Sequence, residues 1–247
     1  MRLSGAGERL DQCGRFALDD HVDELIQEFV AAGGDYQDWR PSYSIAPTDV
    51  VPIVRERVDK QTGELKRSID AAVWDFHPAF MRESKRPNFN ARIETVTSNG
   101  LWKGAFASSR AIVPMRGYYE WTGEPGHKRA HFLHSADGGL LAAAGIYTVR
   151  KVGDDWQVST AIITRPARDA SGEVHDRMPV FLERDVWEEF LTPDKLDDDG
   201  KQHLVQLLTA ESERMAATIS GYEVDPKVNN SRTADPDDAS LIEPIAS

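Results

Sequence analysis

Six stretches of alternating or β-branched apolar residues crowd the middle of this chain, and they constrain its fold more than anything else in it. They cover residues 50–58, 66–76, 110–121, 130–134, 140–149 and 156–164. Period-two alternation suits a half-buried strand, and turn residues separate most of the runs, with Gly63 joining the first two. Helical spacing appears only outside this block. Val22, Leu25, Ile26, Phe29 and Val30 recur at i, i+3, i+4, i+7 and i+8, with Asp19-Asp20 ahead as caps and Gly33-Gly34 behind as a stop. Further helical patterns cover 183–191 and 201–217, and a short strand is expected over 221–224. The expectation is an α+β fold: one domain, mainly an antiparallel β-sheet or barrel, with helices packed outside it.

Two stretches lack any period. Residues 35–48 read as loop through Ser44-Ile45-Ala46-Pro47-Thr48. Residues 78–109 are polar and basic, and a loop of that length is uncommon unless it is functional. Charge adds to this. The chain carries a net −12, which disfavours a nucleic-acid partner, yet residues 81–129 hold nine bases and four acids, while 183–247 hold sixteen acids and six bases. A basic middle in an acidic protein is the pattern expected of a polyanion site, although a solvated face gives the same count.

Chemistry-bearing residues are few. Cys13 is the only cysteine, so no intramolecular disulfide is possible and a reducing, cytoplasmic setting is expected. Residues 1–12 contain no apolar leader, and the longest nearly apolar run, 140–149, is far short of the ~20 residues of a membrane helix. A lone cysteine is commonly a small buried hydrophobe. At a free N-terminus, however, its amine and thiol would both be partly nucleophilic at neutral pH and could close a thiazolidine on an aldehyde. Asn90-Ala91-Arg92 lies in the basic loop, where an amide can orient a substrate and a guanidinium can hold a phosphate. In Gly117-Tyr118-Tyr119-Glu120-Trp121 the carboxylate is set among aromatics, which suits acid–base work; alternation equally allows a Glu120 that faces water. His175, between Val174 and Asp176-Arg177, suits proton transfer or a structural hydrogen bond. No cofactor is expected, since phosphate-loop and dinucleotide fingerprints are missing. No metal is expected either: His127, His131 and His134 have no cysteine or carboxylate in step, and residues 131 and 134 of a strand point to opposite faces.

The order of these fragments resembles the SOS-response-associated peptidase (SRAP) family of abasic-site-processing proteins. The resemblance rests on Cys13-Gly14-Arg15-Phe16, Ile45-Ala46-Pro47-Thr48, Trp74 with Pro78, Asn90 to Thr95, Gly117 to Trp121, Thr164 with Ala167, His175 to Pro179, and Val224 with Val228-Asn229. It implies a monomer that binds single-stranded DNA containing abasic sites, with no membrane partner. By that likeness Cys13 is the nucleophile, and Asn90 holds the cysteine and the sugar. Glu120 and His175 move protons, Arg92 and Arg177 grip phosphates, and Trp74 and Pro47 contact the unstacked strand. Family members carry the cysteine directly after the initiator methionine, whereas here twelve residues precede it. The expected arrangement is therefore a removable extension over 1–12, cut between Gln12 and Cys13, and an SRAP-like domain over 13–247. Two alternatives stay open at this level: a thiol peptidase using Cys13 and His175, and a non-covalent single-strand binder whose cysteine amine is blocked.

Overall fold

The structure is a computed structural model that describes residues 14–246, apart from 83, 85, 125 and 169–175. Its strands are β1 (Phe16–Leu18), β2 (Ser42–Ile45), β3 (Val50–Val58), β4 (Leu65–Val73), β5 (Asn90–Arg92), β6 (Arg110–Met115), β7 (Gly117–Thr122), β8 (Arg129–Ser135), β9 (Leu141–Val152), β10 (Asp155–Pro166), β11 (Arg177–Pro179) and β12 (Ile219–Val224). The helices are α1 (Val22–Phe29), α2 (Lys103–Ser108), α3 (Trp187–Leu191) and α4 (Asp198–Ala216). This is the mainly antiparallel α+β domain that the alternation predicts.

One sheet closes on itself. β4, β3, β6, β9 and β10 pair in that order, and β10 returns to β4 through a parallel bridge, Ser159 to Val73. Closure removes most free edges, which explains how so many strands can share one core. The second sheet runs β12-β8-β7-β1-β2. The chain passes between the two sheets at Arg116, the single residue between β6 and β7. Arg116 is clamped there by Asp19 (2.9 Å) and Asp20 (2.7 and 2.8 Å). Asp19 and Asp20 are thus tied to a strand crossing, and the cap of α1 is His21, whose backbone N–H donates to Glu24. The helix also stops before the two glycines, at Val30 with φ +51°.

The aperiodic stretches are partly ordered by their partners. β2 lies in one of them, and β5 and α2 lie in the other. The inner core draws on both sheets and on α4 through Leu204 and Leu208. A smaller outer cluster of Ala17, Tyr119, Ala130, Phe132, Val224, Val228 and Leu241 covers the other face of the second sheet. Among the described residues no helix is long and apolar enough to cross a membrane.

Candidate active site

The far end of β10 is where separate motifs meet. β5 lies parallel to it, pairing Asn90 with Ile162 and Arg92 with Thr164. β11 lies antiparallel, pairing Pro179 with Thr164 and Arg177 with Pro166. Thr164, 3 % exposed, therefore sits between the strand of Asn90 and Arg92 and the strand that begins at Arg177. The Arg177 guanidinium reaches back to the Thr164 carbonyl (2.7 Å) and hydroxyl (3.2 Å) and pairs with Glu94 at 2.5 and 3.1 Å.

The second half of the site is built on β7. β1 pairs with it, Phe16 against Tyr118, and the Tyr119 N–H donates to the Arg15 carbonyl at 2.9 Å. The chain just after Cys13 is thereby laid along the strand that carries Glu120. Gly117 is required for this packing, because a Cβ there would lie 2.4 Å from the Phe132 ring and 2.5 Å from the Leu133 carbonyl. Along β7 the side chains alternate: Tyr118 enters the inner core, Tyr119 belongs to the outer cluster and Trp121 packs against that cluster. Glu120 accordingly shares the inner side with Tyr118. It is fully buried and is not left without a partner, so the water-facing alternative is excluded.

Aromatic contacts tie the two halves together. Phe16 meets Trp74 at 5.0 Å, Trp74 meets Phe89 at 5.7 Å, and the Trp74 indole N–H donates to the Phe89 carbonyl at 3.0 Å, directly before Asn90. On the other side Tyr118 packs on Phe181, two residues beyond β11, with ring centroids 5.7 Å apart. Glu120, Asn90 and Arg177 thus stand on strands braced against one another. Cys13 and His175 lie outside the described residues.

The remaining expected contacts divide by depth. Arg92 is exposed at the end of β5 and Asn90 is half-buried at its start. Trp74 is 0 % exposed; it has no face to offer a nucleotide base, and it supports the site from beneath. Pro47 is half-buried in the turn 46–49, closed by Asp49 N–H to the Ala46 carbonyl (3.0 Å) and tied to Trp74 by Thr48 N–H to the Trp74 carbonyl (3.0 Å). Thr48 there has φ +81°, a strained value for a β-branched residue. The charge reading also needs a correction by depth. Arg110, 2 % exposed, donates to the carbonyls of Phe190 (2.7 Å), Phe106 (2.9 Å), Thr192 and Asp194 (3.2 Å), and burial pulls its pKa down to about 10. Arg110 and Arg116 are structural cations, and the basic surface of the middle region is smaller than its count.

Arg15 and Asn229, absent from the expected site, brace it from outside. Buried Arg15 donates to the Val228 carbonyl at 2.8 Å and lies 5.5 Å over the Trp121 ring, while Trp121 donates to Asn229 at 2.8 Å. The sequence signal was present in Arg15 and in Val228-Asn229; what joins them spans more than two hundred residues. His131 bonds Thr122 at 3.0 Å, whereas His134 turns to the Ser135 carbonyl at 2.8 Å. Among the described residues one acidic group, Glu183, Asp185 and Glu211, has metal-binding spacing. Arg214 sits in it, 2.5 Å from Glu211 and 3.8 and 4.0 Å from the others, as a surface ion-pair network does.

Comparison with known proteins bears on this arrangement. The family model described as SOS response associated peptidase (SRAP) matches residues 12–231. Abasic site processing protein YoqW of Bacillus subtilis (strain 168) is 28 % identical over 235 residues, covering 91 % of this chain and 97 % of that protein. Abasic site processing protein YedK of Escherichia coli (strain K12) is 28 % identical over 184 residues, covering 72 % and 79 %. A crystal structure of a protein from Bacteroides thetaiotaomicron shares the fold with a TM-score of 0.72 at 18 % identity, over 95 % of this chain and all of the other.

Proposed function

This chain belongs to the SOS response associated peptidase (SRAP) family, and from that premise we propose that it processes abasic sites in DNA by forming a covalent adduct through Cys13. Relatives that match 91 % and 72 % of the chain are named abasic site processing proteins, which supports the lesion. The observation that carries the mechanism is the position of Glu120. It is a fully buried carboxylate on the strand against which the residues following Cys13 are paired. A fully buried carboxylate on the strand beside the nucleophile's segment is suited to proton transfer at the reacting groups.

The ring-opened abasic sugar is an aldehyde. Once residues 1–12 are removed, the Cys13 amine adds to its carbonyl and loses one water to give an imine. The thiol then adds to the imine carbon and its proton passes to nitrogen, closing a thiazolidine. The net change is loss of one water, with no oxidant or cofactor consumed. Glu120 handles the proton on the amine and the departing oxygen, His175 assists ring opening, and Asn90 orients the reacting groups. Arg92, exposed on β5, meets a flanking phosphate, and Arg177 meets a second. Pro47 contacts the strand from the edge of the 46–49 turn. Phe80, 74 % exposed in the loop leading to β5, offers the aromatic face that buried Trp74 cannot.

The test is the denatured intact mass of the full-length protein after incubation with a single-stranded oligonucleotide bearing one abasic site. A species of residues 13–247 plus the oligonucleotide, less one water, is expected. It should be lost in Cys13→Ala while binding to the oligonucleotide remains. An unmodified chain still carrying residues 1–12 points to a non-covalent binder or a precursor awaiting another protease, and a protein that begins at Cys13 and still forms no adduct overturns the covalent reading.

A further inference from the structure

The Arg177 side chain is 7 % exposed, and a guanidinium at that depth requires its donors to be engaged. Among the described residues, two groups from different elements contribute to holding it. Thr164, in the core ladder of β10, takes Nη2 on its carbonyl and hydroxyl. Glu94, in the turn directly after β5, takes Nη1 on Oε1 and Nη2 on Oε2, two near-parallel contacts from one planar group. These two supports differ in exposure: Thr164 is buried, whereas the Glu94 side chain is 45 % exposed. The open side of Arg177 is thus the side that Glu94 covers. Partial burial would push the Glu94 carboxyl up, but hydrogen bonds and charge from Arg177, with the charge of Arg92, outweigh it and hold the group below the usual carboxylate range. Glu94 is ionised at neutral pH and lies within the influence of both arginines.

A carboxylate that engages both outer nitrogens of an arginine presents two oxygens much as a phosphate does. We infer that Glu94 is an internal stand-in for a DNA phosphate, holding Arg177 in gripping geometry and leaving toward solvent when a backbone phosphate takes its place beside Arg92. This inference rests on the DNA-binding reading above. Thr164 keeps the guanidinium placed during the exchange, so little reorganisation is needed when DNA arrives. The carboxylate also opposes the approach of any polyanion, which lowers affinity for undamaged strands and leaves retention to the covalent step. Glu94 is in this sense a positioning and selectivity residue that acts through Arg177.

The experiment measures binding of full-length wild type, Glu94→Gln and Glu94→Asp to a single-stranded oligonucleotide without an abasic site, across a range of salt, with melting temperatures recorded alongside. Glu94→Gln should tighten binding about fivefold, the scale of one partly exposed ion pair. Its salt slope should steepen by about 0.7, the value of one charge on a single strand. Glu94→Asp keeps the charge and should keep the wild-type slope. Wild-type binding with a weaker or unchanged Glu94→Gln, or a slope that moves equally in both variants, overturns the inference alone. Absence of binding by wild type and variants both to this oligonucleotide and to the same one bearing an abasic site overturns the DNA reading and this inference with it.

Discussion

Glu120 and Trp74 show how differently two residues of one site can be read. From alternation alone Glu120 could face either way; its neighbours Tyr118 and Tyr119 pack into different clusters, and that settles its side. Trp74 was visible as a candidate because of its type, but type says nothing about depth, and a side chain with 0 % exposure contributes support rather than contact. Removing the Glu120 acid while keeping its shape should separate chemistry from folding. Glu120→Gln is expected to slow appearance of the denaturation-resistant adduct by roughly 10²–10⁴-fold, the usual range for a lost general acid–base. Affinity for the same oligonucleotide should stay within about twofold, measured at equilibrium before the adduct accumulates. Equal losses in rate and affinity would assign Glu120 to the fold.

At the scale of elements, the long strands and the short strand β12 were legible, and the three-residue strands were not. β3 and β10 carry long, continuously buried runs rich in apolar residues and declare themselves, whereas β1, β5 and β11 have three residues each and exist because β7 and β10 present edges to them. The same applies to residues 32–35, which line the outer edge of β4. Ala32 N–H donates to Arg67, Ile69 N–H to Gly33, and Ala71 N–H to Asp35, at 2.9, 2.9 and 2.6 Å. Gly34, read as part of a helix stop, instead allows this approach: a Cβ there would fall 1.7 Å from the Ile69 carbonyl oxygen. Gly34→Ala should therefore cost about 1–3 kcal/mol, as overpacking does, seen as a lower denaturation midpoint at unchanged m-value. Gly104→Ala, in α2 with open space around it, should gain up to ~1 kcal/mol from helix propensity. If both substitutions move stability in the same direction, the close approach at Gly34 is not what limits that position.

For the whole molecule, the net charge of −12 obscures where charges sit. One acidic group matters to stability far more than its count suggests. Asp70, 2 % exposed, takes hydrogen bonds from Arg55 (2.7 Å), Ser68 (2.7 Å) and the Asp35 backbone (3.0 Å), across the β3–β4 ladder and the 32–35 segment. Burial would raise its pKa, but Arg55 and these hydrogen bonds together lower it. A lowered folded-state pKa means stability present above the unfolded value of ~3.9 and lost as pH falls through the folded one. Acid should therefore destabilise the protein progressively below about pH 4. Asp70→Asn should remove part of that dependence and cost about 3–5 kcal/mol at neutral pH, because Arg55, 5 % exposed, loses its counter-charge. Denaturant midpoints of both proteins against pH check this, and parallel curves would exclude Asp70 as the titrating group.

By itself the sequence determined the class of fold, the long strands and the set of motifs, because alternation and residue type are local properties of the chain. Asn90, Arg92, Glu120 and Arg177 were all legible in that way. Only the tertiary structure decided that Glu120 is buried, that Trp74 is a support, that Arg110 is a buried cation and Arg116 one clamped by Asp19 and Asp20, and that Glu94 covers Arg177. Each of these depends on which strand edge lies beside another, and the partners are separated by tens to hundreds of residues. Pairing at that separation is set by the closure of the barrel, which no local pattern encodes.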